Sequence, residues 1–130
     1  MGDAFLVVGC GSIGQRHIRN LVSLGIKVLA FDPNPDAQPA AEESGATWAG
    51  SLESALATNP DAVLVCTPPH RHIEIGLLAI EAGAHLFIEK PISHELSDSL
   101  DQMLDAADRA GRAVMAGYNL RFHPGLLKLQ

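Results

Sequence analysis

A chain of 130 residues and 13.8 kDa is one domain's worth, and a core of that size buries roughly two-thirds of the surface its unfolded chain exposes, so neither disulfide nor metal is needed to fold it. With 47% apolar and 18% charged residues the composition excludes intrinsic disorder, and its apolar runs are too short to span a bilayer. Nine Lys+Arg against 15 Asp+Glu leave a net charge of −6, which argues against nucleic acid or an anionic membrane as a partner.

The N-terminus, MGDAFLVVGCGS, lacks a basic stretch, and its apolar run enters a glycine turn directly. It reads as a buried strand over residues 4–8 (AFLVV), not as a signal peptide. Residues 12–24 follow as a helix with Ile13, His17, Leu21 and Leu24 on one face, stopped by Gly25. Residues 27–31 (KVLAF) make a second strand, ended by Asp32 and Pro33. A short Ala/Glu-rich helix over 36–44, a brief strand over 46–49 and a helix over 51–57 come next. Ser51 is the N-cap of that helix, and Ser54 lies in its first turn.

Residues 62–66 (AVLVC) form the clearest strand, broken by Pro68-Pro69. A helix over 73–82 closes at Gly83, and a strand over 85–88 (HLFI) ends at Glu89-Lys90-Pro91. A helix over 97–110 carries Leu100, Met103, Leu104 and Ala107 on one side, and a last strand covers 113–117. Strands alternating with helices mean βαβ units. The expected fold is α/β: a doubly wound parallel sheet of about six strands, first strand central, helices on both faces. Cys10 and Cys66 form no CxxC and read as reduced packing residues of a cytoplasmic protein.

Two turns of this alternation carry chemistry. Gly9-Cys10-Gly11-Ser12-Ile13-Gly14 follows a strand and opens a helix, with an acidic residue, Asp32, at the end of the second strand. That is the full context of a dinucleotide-binding fingerprint. Gly9 allows the tight turn, Gly11 lets backbone approach a pyrophosphate, and Gly14 allows close helix–strand packing. The N–H groups of the helix start then face the phosphates. Asp32 would accept from both ribose hydroxyls and repel a 2′-phosphate. No arginine follows it closely in sequence, so NAD is favoured over NADP. The second turn, Thr67-Pro68-Pro69-His70-Arg71-His72, faces the same crevice because its strand lies beside the first. Its HxH lacks further ligands at a metal-binding spacing, and no metal is expected. His70 reads as a solvated loop histidine, His17 as a half-buried one satisfied by a neighbour. His85 and His94 carry no functional expectation.

Lys90 sits at a strand's C-terminal end between an acid and a proline, where an ammonium can polarise a carbonyl or relay a hydroxyl proton. With Glu89-Lys90-Pro91 added to the glycine turn, Asp32, Thr67-Pro68 and His72, the sequence resembles the glucose–fructose oxidoreductase / inositol dehydrogenase / rhizopine catabolism (Gfo/Idh/MocA) family. Residues 117–124 (GYNLRFHP) look like that family's junction between two domains. The resemblance implies an NAD(P)-dependent oxidoreductase of sugars, polyols or their derivatives, and its GSIGQRHIRNL wording looks most like members linked to surface-polysaccharide sugar synthesis. It implies that Lys90 is catalytic beside the nicotinamide, and that Gly9, Gly11, Ser12, Ile13, Gly14, Asp32, Thr67, Pro68, His72, Glu89 and Lys90 line the cofactor site. Glu89 is also expected to pair with Lys90 or another neighbour.

Family members run past 300 residues and carry a second, substrate-binding domain. The expected organisation is therefore a dinucleotide-binding domain over 1–120 and, over 121–130, the start of a junction to a domain beyond this chain. Substrate contacts and homo-oligomer contacts would belong to that longer part, leaving residues 1–130 inactive alone. The alternative reading is a stand-alone NAD-binding or sensing module without catalysis. A CoA-binding domain is disfavoured by Asp32, since CoA offers no free ribose diol.

Overall fold

The computed structural model describes residues 4–93 and 98–117. His94, Ser97 and the predicted junction beyond Gly117 lie outside these residues, as does the predicted end of the domain at residue 120.

Six strands form one wholly parallel sheet: β1 (Ala4–Val8), β2 (Lys27–Phe31), β3 (Thr47–Trp48), β4 (Ala62–Val65), β5 (His85–Ile88) and β6 (Val114–Ala116). Their spatial order is β3-β2-β1-β4-β5-β6, with strand direction and register shared throughout. The first strand is central, as the doubly wound reading requires. Five α-helices connect them: α1 (Ser12–Ser23), α2 (Gln38–Glu43), α3 (Leu52–Ala57), α4 (His72–Glu81) and α5 (Asp98–Ala110).

Alternation along each central strand sends side chains to two separate cores. Leu6, Val8, Val63, Val65, Leu86 and Ile88 face α3, α4 and α5, where Ile75, Ala79 and Met103 close the layer. Val7, Val28, Ala30 and Leu64 face α1 and α2, packing on Ile18 and Ala41. This second face is covered over β1–β3 but less so beyond: an apolar hollow of about 330 Å3 runs across Phe5, Leu64, Phe87 and Met115. Among the described residues no helix is long and apolar enough to cross a membrane.

Several predicted details need correction. Helix α1 does not bury the Ile13–His17–Leu21–Leu24 face: Ile13 is 46% and Leu24 74% exposed, whereas Gly14 and Ile18 are buried. The helix approaches the sheet through a glycine, which carries no hydrophobic signal, so the predicted stripe is offset from the buried one: His17 and Leu21 lie half-buried at its margin, and Ile13 and Leu24 fall outside it. In α5, Met103 and Ala107 are buried but Leu104 stands out. The predicted helix over 36–44 is a 3₁₀ turn, Pro35–Ala37, running into α2. Asn34 starts it by accepting a hydrogen bond from Asp36 N at 3.0 Å. Ser51 and Ser54 form a reciprocal capping box at the start of α3, as expected.

Candidate functional site

The C-terminal ends of the strands share one rim. On it, β1 runs into the glycine turn. Gly9 has φ +98°, and a Cβ there would meet the Cys66 carbonyl at 2.6 Å. A Cβ on Gly14 would overlap the carbonyl oxygen of Gly9. These two glycines therefore serve close backbone packing. Gly11 differs: a Cβ built on it meets nothing within 4 Å. It caps α1 with no side-chain hydrogen bond, and the first turn holds no acidic residue. The opening N–H groups of α1 thus have no side-chain cap and no acidic residue in the helix's own first turn.

Asp32 stands just past β2 and grips this turn. Its Oδ2 accepts from Cys10 N and its Oδ1 from Asn34 N, both at 2.8 Å. A carboxylate has about four acceptor sites, so lone pairs remain for hydroxyls in the cleft. That cleft, of about 500 Å3, runs between Gly9, Gly11 and Asp32 on one side and Thr67, Pro68, His70 and Arg71 on the other. The cradle suits a dinucleotide: an uncapped helix start over open space, a carboxylate at the end of the neighbouring strand and a facing wall from the β4 turn.

One strand further along the rim, Glu89 and Lys90 follow β5. Glu89 N donates to Val65 O at 3.0 Å, anchoring the segment to β4. The Glu89 carboxylate lies 2.6 Å from His17 Nε2 on α1, and the His17 ring stands edge-on to Phe87 with centroids 5.2 Å apart. Lys90 is exposed at the rim.

A family model described as "Oxidoreductase family, NAD-binding Rossmann fold", the Gfo/Idh/MocA family, matches residues 4–118. The chain belongs to this family. It is 35% identical over 130 residues to inositol 2-dehydrogenase 3 of Saccharopolyspora erythraea, covering 95% of this chain and 38% of that protein. It is 33% identical over 129 residues to myo-inositol 2-dehydrogenase of Thermotoga maritima, with the same coverage of each chain. Among solved structures, the WlbA dehydrogenase of Chromobacterium violaceum, in complex with NADH and UDP-GlcNAcA, superposes with a TM-score of 0.89 at 30% identity, over 98% of this chain and 38% of that one. The chain thus spans about two-fifths of the length of these Gfo/Idh/MocA relatives.

The other residues singled out from the sequence divide. Ser12 and Ile13 open α1 and are exposed beside the glycine turn. His72 is buried, 1% exposed, and is not among the residues that line the cleft. His70, read as merely solvated, lines the cleft, and so does Arg71. The sequence holds no arginine close after Asp32, but the fold brings one across from the β4 turn. Arg71 lies 3.5 Å from Glu74 in an exposed pair, a contact worth little. Glu89 pairs with His17 on α1, and this link between distant segments had no local signature.

Cys10 and Cys66 are inert. Burial pushes the Cys10 thiol up to about 12, helped by the Asp32 charge. Burial, with Glu89 second, pushes Cys66 up to about 12 as well. Both are free and remain neutral thiols near pH 7. His85 has a structural task, since its Nδ1 accepts from Ala113 N at 3.0 Å. Among the described residues no group of three or more His, Cys, Asp or Glu is placed to hold a metal.

Proposed function

We propose that this chain is the cofactor-binding part of an NAD-dependent oxidoreductase of a sugar, polyol or sugar derivative, with Lys90 as its acid–base group. The observation that carries the reading is the open space over Gly11 at an uncapped helix start, flanked by Asp32. In this reading Gly11 and the first N–H groups of α1 hold the pyrophosphate, and Asp32 accepts from the adenosine ribose. Thr67 and Pro68 form the facing wall. The bound nicotinamide supplies a hydride acceptor or donor. Lys90, one strand along the rim, passes the substrate hydroxyl's proton at Nζ. Glu89 is held by His17 and anchors the backbone next to Lys90. Names of relatives such as inositol 2-dehydrogenase and a complex with UDP-GlcNAcA support a polyhydroxylated substrate. The substrate-binding contacts then belong to the length of chain that the relatives have and these 130 residues lack. A cytoplasmic location fits this chemistry.

Calorimetric titration of the chain with NADH and NADPH tests the reading, and NADH is expected to bind more tightly. Asp32→Ala should weaken NADH about 10- to 100-fold, roughly 1.4 to 2.8 kcal/mol, because both the ribose acceptor and the grip on Cys10 N are lost. NADPH binding should hold or improve, since Arg71 and His70 already flank the place a 2′-phosphate would take. Absence of NADH binding by the wild-type chain would defeat the reading. Equal affinity for the two cofactors would remove Asp32 from the ribose.

A further inference from the structure

His72 is the one polar side chain among the described residues that is fully buried. It opens α4, yet its ring reaches two other segments. Nδ1 lies 2.8 Å from the carbonyl oxygen of Pro91, and Nε2 lies 2.8 Å from that of Thr67. Carbonyl oxygens only accept, so the ring nitrogen that carries the hydrogen donates to the carbonyl it faces, and the tautomer decides which of the two that is. The two segments are short of donors of their own, because Pro68, Pro69 and Pro91 have no N–H. The ring brings a donor to a place where their own backbone has none. Thr67 belongs to the wall of the cofactor cleft, and Pro91 directly follows Lys90.

We propose that His72 is a positioning residue: buried and out of ligand reach, its ring wedges between the Thr67 wall and the Lys90 segment and ties one to the other, so that cofactor and proton-transferring amine are held in register. This rests on the reading of the cleft and Lys90 given above. Its geometry can be checked without any cofactor. An asparagine amide nitrogen falls near the place of Nδ1 and a glutamine amide nitrogen near that of Nε2. His72→Asn should therefore keep the hold on Pro91 and release Thr67, and His72→Gln should do the reverse.

The test is NMR on the 130-residue chain. The wild-type ring is expected to show a hydrogen-bond coupling to at least one of the two carbonyls. The Thr67 carbonyl 13C signal should move in His72→Asn and the Pro91 signal in His72→Gln. In NADH titrations, His72→Asn should lose affinity several-fold while His72→Gln stays close to wild type. With NADH bound, the 13C-dimethylated Lys90 signal should shift in His72→Gln and hold in His72→Asn. A wild-type chain in which neither the Thr67 nor the Pro91 carbonyl shows a hydrogen-bond coupling to the His72 ring overturns the proposal whether or not a variant folds. So do two variants that disturb the same carbonyl, or that disturb the carbonyls while leaving NADH affinity and Lys90 unchanged. A wild-type chain with the expected ring and carbonyl signals but no NADH binding would instead overturn the cofactor reading.

Discussion

Alanine in place of Gly14 is expected to destabilise the fold and abolish NADH binding, whereas valine in place of Gly11 abolishes binding alone. The Gly14 substitution puts a methyl into the Gly9 carbonyl. Both partners are backbone and cannot rotate away, so α1 must move off β1. Overpacking of this kind costs about 3 kcal/mol or more where nothing can yield. The glycine turn, which continues into α1, would shift with it. At Gly11 the backbone is extended, with φ −73° and ψ −167°, a conformation any residue adopts, and the added side chain meets only open space. Stability should change by about 0.5 kcal/mol or less, as for an ordinary surface substitution. The isopropyl group would fill the place assigned to the pyrophosphate and weaken NADH by at least about 100-fold, roughly 2.8 kcal/mol. Thermal melts followed by circular dichroism and parallel calorimetry separate the two cases. A Gly11→Val chain that binds NADH normally would take the glycine turn out of the site. A Gly14→Ala chain that melts like the wild type would mean that the close approach of α1 to β1 contributes little.

Lys90→Ala, in a chain extended to the length of its relatives, should lower kcat by about 10²- to 10⁴-fold, the usual contribution of a positioned acid or base, while the Kd for NADH stays within about twofold, under 0.5 kcal/mol. Its side chain is exposed on the rim, and the groups proposed to cradle the cofactor follow β1, β2 and β4, so binding should not depend on it. Lys90→Arg should fail almost as badly. A guanidinium keeps the positive charge but stays protonated and cannot relay a proton. The assay is NADH formation at 340 nm with a panel of polyols and nucleotide sugars. A Lys90→Ala enzyme with normal kcat would make it a surface lysine, and full rescue by arginine would make its role purely electrostatic.

Much of this architecture is legible in the chain because it is written locally. Runs of four or five mostly apolar residues, as in β1, β2, β4 and β5, each with a Gly, Asp or Pro within three residues of its end, specify the alternation. Gly9, Gly11, Gly14 and Asp32 lie within one βαβ unit, so their spacing alone places them together. What eluded the sequence is long-range or silent. His17 meets Glu89 across 72 positions, and no periodicity links them. Arg71 reaches the cleft because β4 lies beside β1, a neighbour that the residues next to Asp32 in the sequence do not announce. His72 sits in a polar, proline-rich turn that suggests exposure, and only the carbonyls of Thr67 and Pro91 explain why it is buried. The buried face of α1 was misjudged because its closest approach is made by Gly14, a residue that leaves no hydrophobic mark.

The wholly parallel sheet also determines how the chain must find its shape. No two neighbouring strands are joined by a hairpin, and every pairing waits for a crossover to close. The entropy of each closure is lost before any strand contact returns it, which slows folding relative to helical bundles of similar size. The order of synthesis adds to this. β1 is made first and becomes the middle of the sheet. It can meet β2 early, but Phe5–Val8 must wait for Ala62–Val65 to emerge before their second edge is paired. Until then a short, wholly apolar strand presents an open edge, and the nascent chain is most exposed to misassociation at the segment that later becomes its best-protected core.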